Sequence, residues 1–339
     1  MIPPGKGGGV DDFQAWPKAE LHVHLDGSLR PETVWDLAKS TRFWLPFGSL
    51  KELTTHLRVP RRCTLPSYLK AFAYTVGVLQ ERGPLKRAAY EFVEDAARDG
   101  VRYVEVRFAP SLHRKKGLTL DRVVEAVLEG LDEGSRATGT LARLICCAMR
   151  QEPASVSASV ASVAAEYREA GVVALDLAGP EEGYPAEVHR KAFEYALEHD
   201  LHLTIHAGEA CCPLNVERAI ALGAERIGHG TYACQDERVE RLLVERQIPL
   251  EICPTSNLQI SDFVENYGEH PLRRYLEAGI VTTLNTDNRL MSNVTLSKEY
   301  AHMSTCCSEP QLRHIARNGF LHAFLPEAKK RALLADFPA

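Results

Sequence analysis

The stretch Ala19-Glu-Leu-His-Val-His24 reads as a short strand ending in two histidines, and it is the first of eight comparable runs. The others are Val101–Phe108, Leu141–Met149, Val172–Leu177, Leu201–His206, Arg226–His229, Ile248–Cys253 and Ile280–Thr286. Each is β-branched or apolar, ends in polar residues or Gly, and is followed by helical apolar spacing. Leu120, Val123, Val124, Val127, Leu128 and Leu131, for example, form one stripe along a helix. Another helix starts at Pro31, with Glu32 in its first turn, because a first-turn N–H has no helical partner to lose. Strands separated by helices run parallel, and eight such units close a barrel. The predicted fold class is therefore α/β, a (β/α)₈ TIM barrel. An open doubly wound sheet is the alternative, but no Gly-rich dinucleotide fingerprint follows the first strand.

Outward from the first strand, about 75 residues precede the second, far more than one crossover helix needs. This inserted helical segment includes Thr64-Leu-Pro-Ser-Tyr-Leu-Lys-Ala-Phe72 and is expected to supply a lid or pocket wall. Residues 1–16 are expected to form a loose N-terminal tail and residues 17–339 a single barrel domain.

Composition narrows the class of function. The chain has 339 residues, 45% hydrophobic and 25% charged, with a formal net charge of −5. These are ordinary globular values, with no basic surplus for a nucleic-acid backbone or an anionic membrane. The Gly- and Pro-rich start does not read as a secretory signal, and no stretch approaches the roughly 18–20 apolar residues of a membrane span. The nine cysteines include the pairs Cys146-Cys147, Cys211-Cys212 and Cys306-Cys307, with no CxxC. An odd count in a large chain without an export signal predicts reduced thiols in a cytoplasm. Oligomeric state is not readable from periodicity.

The chemistry is expected where the strands end. His22 and His24 are two residues apart on a strand, so both imidazoles face one way. An isolated HxH recurs by chance, but three more strand ends add His206-Ala-Gly-Glu209, Gly228-His229-Gly230 and Asn285-Thr-Asp287-Asn288. A barrel core would place Val, Ile or Leu there, and unpaired polar groups in it cost free energy. Three histidines and one carboxylate describe a catalytic zinc site, with His22, His24, His206 and Asp287 as the expected ligands. Zinc brings the pKa of bound water toward about 7. Glu209 and His229 remain for proton transfer. His56, His113, His189 and His314 read as surface or helix residues without a role, and His202 as part of a packed barrel layer.

Several segments, in order, resemble the adenosine deaminase family. They are Pro17–Ser28, Leu175-Asp-Leu-Ala-Gly179, His206–Glu209, Gly228-His-Gly230, Cys253-Pro-Thr-Ser-Asn257 and Asn285-Thr-Asp287. Tyr103-Val-Glu-Val-Arg107 and Ile145-Cys-Cys147 are similar to that family as well, so the resemblance runs from about Pro17 to the C-terminus. It implies a hydrolase that converts adenosine and 2′-deoxyadenosine to the 6-oxopurines, with one zinc ion per chain, in purine salvage. It implies His22, His24, His206 and Asp287 as ligands, with Asp287 also bonding the attacking water. Glu209 matches the residue that protonates purine N1, and His229 the one that orients the attacking water and shuttles its proton. Gly179 matches a backbone contact to N3, and Asp26 a contact near the ribose 5′-hydroxyl. Tyr68, Leu69 and Phe72 fall at the implied pocket mouth, though helix core explains them equally well.

One position departs from the family. Asn288 follows Asp287, where well-known animal members carry a second aspartate that bonds purine N7. An acid must hold a proton to donate there, whereas an amide donates without one. Two neighbouring classes fit less well. Asp176-Leu-Ala-Gly replaces the carbamylated lysine of binuclear barrels, and the PCxxC of another deaminase fold is missing. The alternatives are the same chemistry on adenine or aminodeoxyfutalosine and, more remotely, a non-catalytic zinc-binding barrel. The last would have no need of Glu209 and His229.

Overall fold

The computed structural model describes residues 8–335 and 337. Eight parallel strands follow one another in chain order: β1 (Lys18–His24), β2 (Val101–Phe108), β3 (Leu141–Met149), β4 (Val172–Ala178), β5 (His202–Ala207), β6 (Arg226–His229), β7 (Leu250–Ile252) and β8 (Thr282–Leu284). The barrel closes where the chain leaves β8. The His24 amide donates to the Asp287 carbonyl at 2.7 Å, and the Asp287 amide donates to the His22 carbonyl at 3.1 Å. The Asn285 side-chain oxygen accepts from the Leu21 and His22 amides, at 2.8 and 3.1 Å. The predicted (β/α)₈ barrel is the observed fold, with β7 and β8 three residues long each.

Helices cover the outside as the spacing predicts. Leu120–Thr138 buries Leu120, Val123, Val124, Val127 and Leu131, and Gly139 ends it in the left-handed region (φ 80°). A fully buried Val or Leu contributes about 1.5–3 kcal/mol, so this stripe alone anchors the helix. Pro31–Ser40 starts at its proline. The insertion folds as Pro31–Ser40, Leu50–Leu57, Leu65–Leu69 and Phe72–Val78, ahead of the crossover helix Arg82–Arg98.

Three expectations are corrected. The tail is not loose throughout: Val10–Gln14 is a helix, and Phe13 is buried against Trp16 and Tyr300. Its apolar ring gains more from that contact than from solvent; Met1–Gly7 lie outside the described residues. His113 and His189 do lie in short helical turns, Pro110–His113 and Ala186–His189, but are buried rather than superficial. Each is held by bonds, His113 Nδ1 to the Leu79 carbonyl and His189 Nδ1 to Ser157 Oγ. His202 does not pack in a barrel layer. It is partly exposed, bonded to Glu225 at 3.0 Å and stacked on Phe324.

The barrel interior beneath the strand ends is ionic. Arg107 reaches Asp176 at 3.0 Å and Glu251 at 2.8 Å, and Arg226 reaches Glu251 at 2.7 Å and Glu105. All five side chains are buried, which is tolerable because each charge meets its opposite and further hydrogen bonds. Thr204 Oγ1 donates to Glu251 Oε1 at 3.0 Å.

Candidate active site

At the C-terminal mouth, His22, His206, His229 and Asp287 bring ligand atoms within 4.8 Å of one another. His24 joins them, its Nε2 at 3.2 Å from His206 Nε2 and 3.5 Å from Asp287 Oδ1. His22 Nε2 is also 3.5 Å from Asp287 Oδ1. The closure bonds between β1 and the segment after β8 are what bring Asp287 to the two β1 histidines. His229 and Asp287 both hold the left-handed region, at φ 65° and 60°. That conformation costs a non-glycine residue about 1–3 kcal/mol, and strain of this kind gathers at functional sites.

The supporting bonds decide which ring atoms face the centre. His22 Nδ1 bonds Glu251 at 2.8 Å and His206 Nδ1 bonds Asp176 at 3.1 Å. Both carboxylates are acceptors. Arg107 and the histidines beside them outweigh burial and hold both acids well below the usual range. The Nδ1 atoms therefore carry the protons, and the Nε2 lone pairs point inward. This is how metal-binding histidines are oriented. His22 Nε2 is buried with no hydrogen-bond partner, an orphaned atom that a bound cation would satisfy. Burial pushes His24 down to about 3, so it too is neutral and able to ligate. Asp287 Oδ2 accepts from Ser256 Oγ at 2.6 Å, which leaves Oδ1 for the centre. The residues fit a divalent metal.

His229 differs. The Leu272 amide donates to His270 Nδ1 at 3.1 Å, so His270 carries its proton on Nε2. That Nε2 faces Asn257 Oδ1 at 3.1 Å, and Asn257 Nδ2 faces His229 Nδ1 at 3.0 Å. The amide orientation is thereby fixed: oxygen to His270, nitrogen to His229. His229 Nδ1 accepts, and its own proton sits on Nε2. Burial, with the neighbouring histidines, holds its pKa far below the ordinary value, so the ring is neutral. His229 thus presents an N–H rather than a lone pair, beside Glu209 Oε1 at 3.5 Å.

Glu209 is buried, and burial first, then the charges of Asp287 and Glu181, push its pKa well up. It therefore holds its proton to higher pH than an ordinary carboxyl does. Its loop is held by Glu181, whose carboxylate accepts from the amides of Gly208 (2.6 Å), Glu209 (3.1 Å) and Ala210 (3.1 Å) and from Asn215 Nδ2 (2.9 Å).

One cleft collects the remaining expected residues. His24, Asp26, Tyr68, Leu69, Phe72, Gly179, Glu209 and Asn288 all line it. Asp26 Oδ1 and Asn288 Oδ1 are buried there without partners. Tyr68 bonds Ser292 Oγ at 3.0 Å and also lines the cleft.

Sequence reading missed the supports. Asp176 and Glu251 are lone acids inside buried strands, which was the available signal. Glu181, His113 and His270 carried none. His113 Nε2 lies 3.5 Å from Asp26 Oδ2. Leu65, Leu112, Met149 and Gln151 also line the cleft.

Comparison with known proteins agrees. The family model described as Adenosine deaminase matches residues 17–337. The adenosine deaminase of Clostridium acetobutylicum is 39% identical over 322 residues, covering 94% of this chain and 96% of the relative. That of Clostridium kluyveri is 41% identical over 325 residues, covering 95% and 93%. The crystal structure of adenine deaminase from Arthrobacter aurescens superposes with a TM-score of 0.88 at 27% identity, covering 95% of this chain and 98% of that one. The N6-methyl-AMP deaminase of Arabidopsis thaliana gives 0.84 at 27% identity, covering 96% and 97%. The chain belongs to the adenosine deaminase family, hydrolases that cleave the exocyclic C–N bond of a cyclic amidine.

Proposed function

We propose that the protein catalyses the zinc-dependent hydrolytic deamination of adenosine and 2′-deoxyadenosine to inosine and 2′-deoxyinosine, with release of ammonia. The reading rests above all on Glu209, a buried acid whose pKa is pushed well up beside the imidazole–carboxylate cluster and which faces the same cleft. His22, His24, His206 and Asp287 would hold one zinc ion, which when bound supplies the Lewis acidity that activates water.

The chain's own residues account for the rest. Glu209 gives its proton to purine N1, which makes C6 electrophilic. The N–H on His229 Nε2 holds the attacking oxygen in line. Of the two roles the resemblance implies for His229, orientation is the one this tautomer supports, because Asn257 already occupies Nδ1. Oxygen bonds to C6 and the C6–N6 bond breaks. Of the two water protons, one ends on the departing nitrogen and the other restores Glu209. Asn288 donates to N7 and the Gly179 amide to N3. Tyr68, Leu69 and Phe72 wall the base from solvent.

Asp26 favours a nucleoside over a free base. Its unpartnered Oδ1 is an acceptor waiting for a hydroxyl donor. The competing reading, free adenine, draws on the likeness to the Arthrobacter adenine deaminase. A spectrophotometric assay of the zinc-loaded protein on adenosine, 2′-deoxyadenosine and adenine, with a chelated control, separates them. Turnover of the nucleosides that chelation abolishes is expected. Turnover of adenine alone would overturn the substrate assignment, and turnover of none would remove the deaminase reading for these substrates. A cytoplasmic place in purine salvage follows from the same reading; no helix among the described residues is long and apolar enough to cross a membrane.

A further inference from the structure

Two residues beyond Glu209 the chain carries adjacent thiols, Cys211 and Cys212, with sulfurs 3.7 Å apart. Both are free; Cys212 is exposed and Cys211 half-buried. A disulfide needs about 2.0 Å between sulfurs. Two thiolates each about 2.3 Å from one tetrahedral ion lie about 3.7 Å apart. The observed spacing is that of a clamp rather than a bond. The other adjacent pairs lack this access: Cys146 and Cys147 are both buried on β3, and Cys307 is buried.

The surroundings suit a cation. Asn215 Nδ2 bridges Cys211 Sγ (3.4 Å) and Glu181 Oε1 (2.9 Å), tying the thiol to the carboxylate that holds the loop. The Cys211 amide also points at Glu181, at 3.4 Å. Burial, with the charge of Glu181, pushes Cys211 up to about 12, so this thiol keeps its proton without a metal. The same negative charge attracts a divalent ion.

We propose that Cys211 and Cys212 form a bidentate site for a soft divalent cation of the zinc or cadmium class, distinct from the His–Asp cluster, whose occupation suppresses turnover. Binding forms two metal–sulfur bonds and releases both thiol protons to solvent, with no change of oxidation state. The bound ion competes for Glu181 and draws the 208–211 amides off its carboxylate, which unseats Glu209. This coupling rests on the reading of Glu209 as the proton donor; the binding does not.

The test is a cadmium titration of the full-length, zinc-loaded protein, read by sulfur-to-cadmium charge-transfer absorbance and by turnover. The expected result is one absorbing cadmium per chain, lost in Cys211→Ser/Cys212→Ser and kept in Cys306→Ser/Cys307→Ser. Turnover should fall at least tenfold with the same midpoint, and not in the first variant. Cys212→Ala alone, which leaves the Asn215–Cys211 contact in place, should also abolish the absorbance. Absorbance that survives in both Cys211/Cys212 variants, or never appears in the parent chain, overturns the site. Absorbance without loss of turnover overturns the coupling. Because absorbance needs no substrate, failure of the deaminase reading leaves it measurable.

Discussion

Glu181 Oε2 accepts the backbone N–H of Glu209 at 3.1 Å, so one buried carboxylate positions the other through the main chain. The Gly208 and Ala210 amides share it. Hydrogen bonds to a charged group contribute about 1.5–3 kcal/mol each. Glu181→Gln replaces one acceptor oxygen with an NH₂ that faces amides. The expected outcome is a ten- to hundredfold loss of kcat with KM little changed and zinc retained. Steady-state kinetics with metal analysis checks it; an unchanged kcat would show that the loop needs no such anchor.

Glu209 must hold its proton to work, and its raised pKa sets the direction of the pH response. Activity is present below that pKa and lost above it, giving an alkaline limb in kcat/KM. Glu209→Gln should lower kcat by about 10²–10⁴, as loss of a general acid does, keep zinc, and remove that limb. Stability moves the same way. The folded state binds this proton more tightly than the unfolded chain, so stability falls as pH rises from the unfolded carboxylate pKa of about 4 through the folded one. The Gln variant escapes this loss. Its Tm advantage over the parent should widen between about pH 4 and neutrality; a constant gap would contradict a raised pKa.

Much of this is legible in the sequence, and the division has a physical basis. Strand ends announce themselves because a polar residue closing an apolar run breaks a strong pattern, so His22, His24, His206, His229 and Asp287 stood out. Asp176 and Glu251 are as decisive for ring orientation, yet their partners come from other strands. Linear spacing carries no trace of such pairs. The burial of His113 and His189 is not legible because a sequence shows that a residue sits on a helix, not what covers it. Phe13 was misread because the Gly-rich stretch before it masked a single apolar anchor.

Asn288 offers a comparison the sequence itself suggests. It is buried, and a Cβ on Gly27 would lie 1.8 Å from its Oδ1. Gly27→Ala should therefore displace the amide and raise KM about ten- to hundredfold, the cost of a lost recognition bond. Asn288→Asp keeps the shape but donates to N7 only while protonated. Burial beside Asp287 raises the introduced carboxyl's pKa, so kcat/KM should be near normal in mild acid and fall as pH rises past that value. Profiles of parent and variant that coincide across the range would remove N7 recognition from Asn288.

The relay Leu272 amide, His270, Asn257, His229 makes a sharper prediction, because each link fixes the next. An aspartate at 257 cannot donate. Asn257→Asp accepts from His229 Nδ1 instead, which moves the ring proton and turns the Nε2 lone pair toward His22, His206 and Asp287. His229 then competes as a ligand and loses the N–H that holds the attacking oxygen. The expected result is a kcat loss of about a hundredfold or more with zinc bound at least as tightly, a combination that a simple packing defect would not give. His270→Phe breaks the relay differently. It frees Asn257 to rotate, so His229 samples both tautomers and the loss should be smaller, about tenfold. Zinc affinity by chelator competition, measured beside kcat for both variants, decides the matter. Weaker zinc binding in Asn257→Asp would mean that Asn257 merely fills space and that the tautomer of His229 is not set by this chain of bonds.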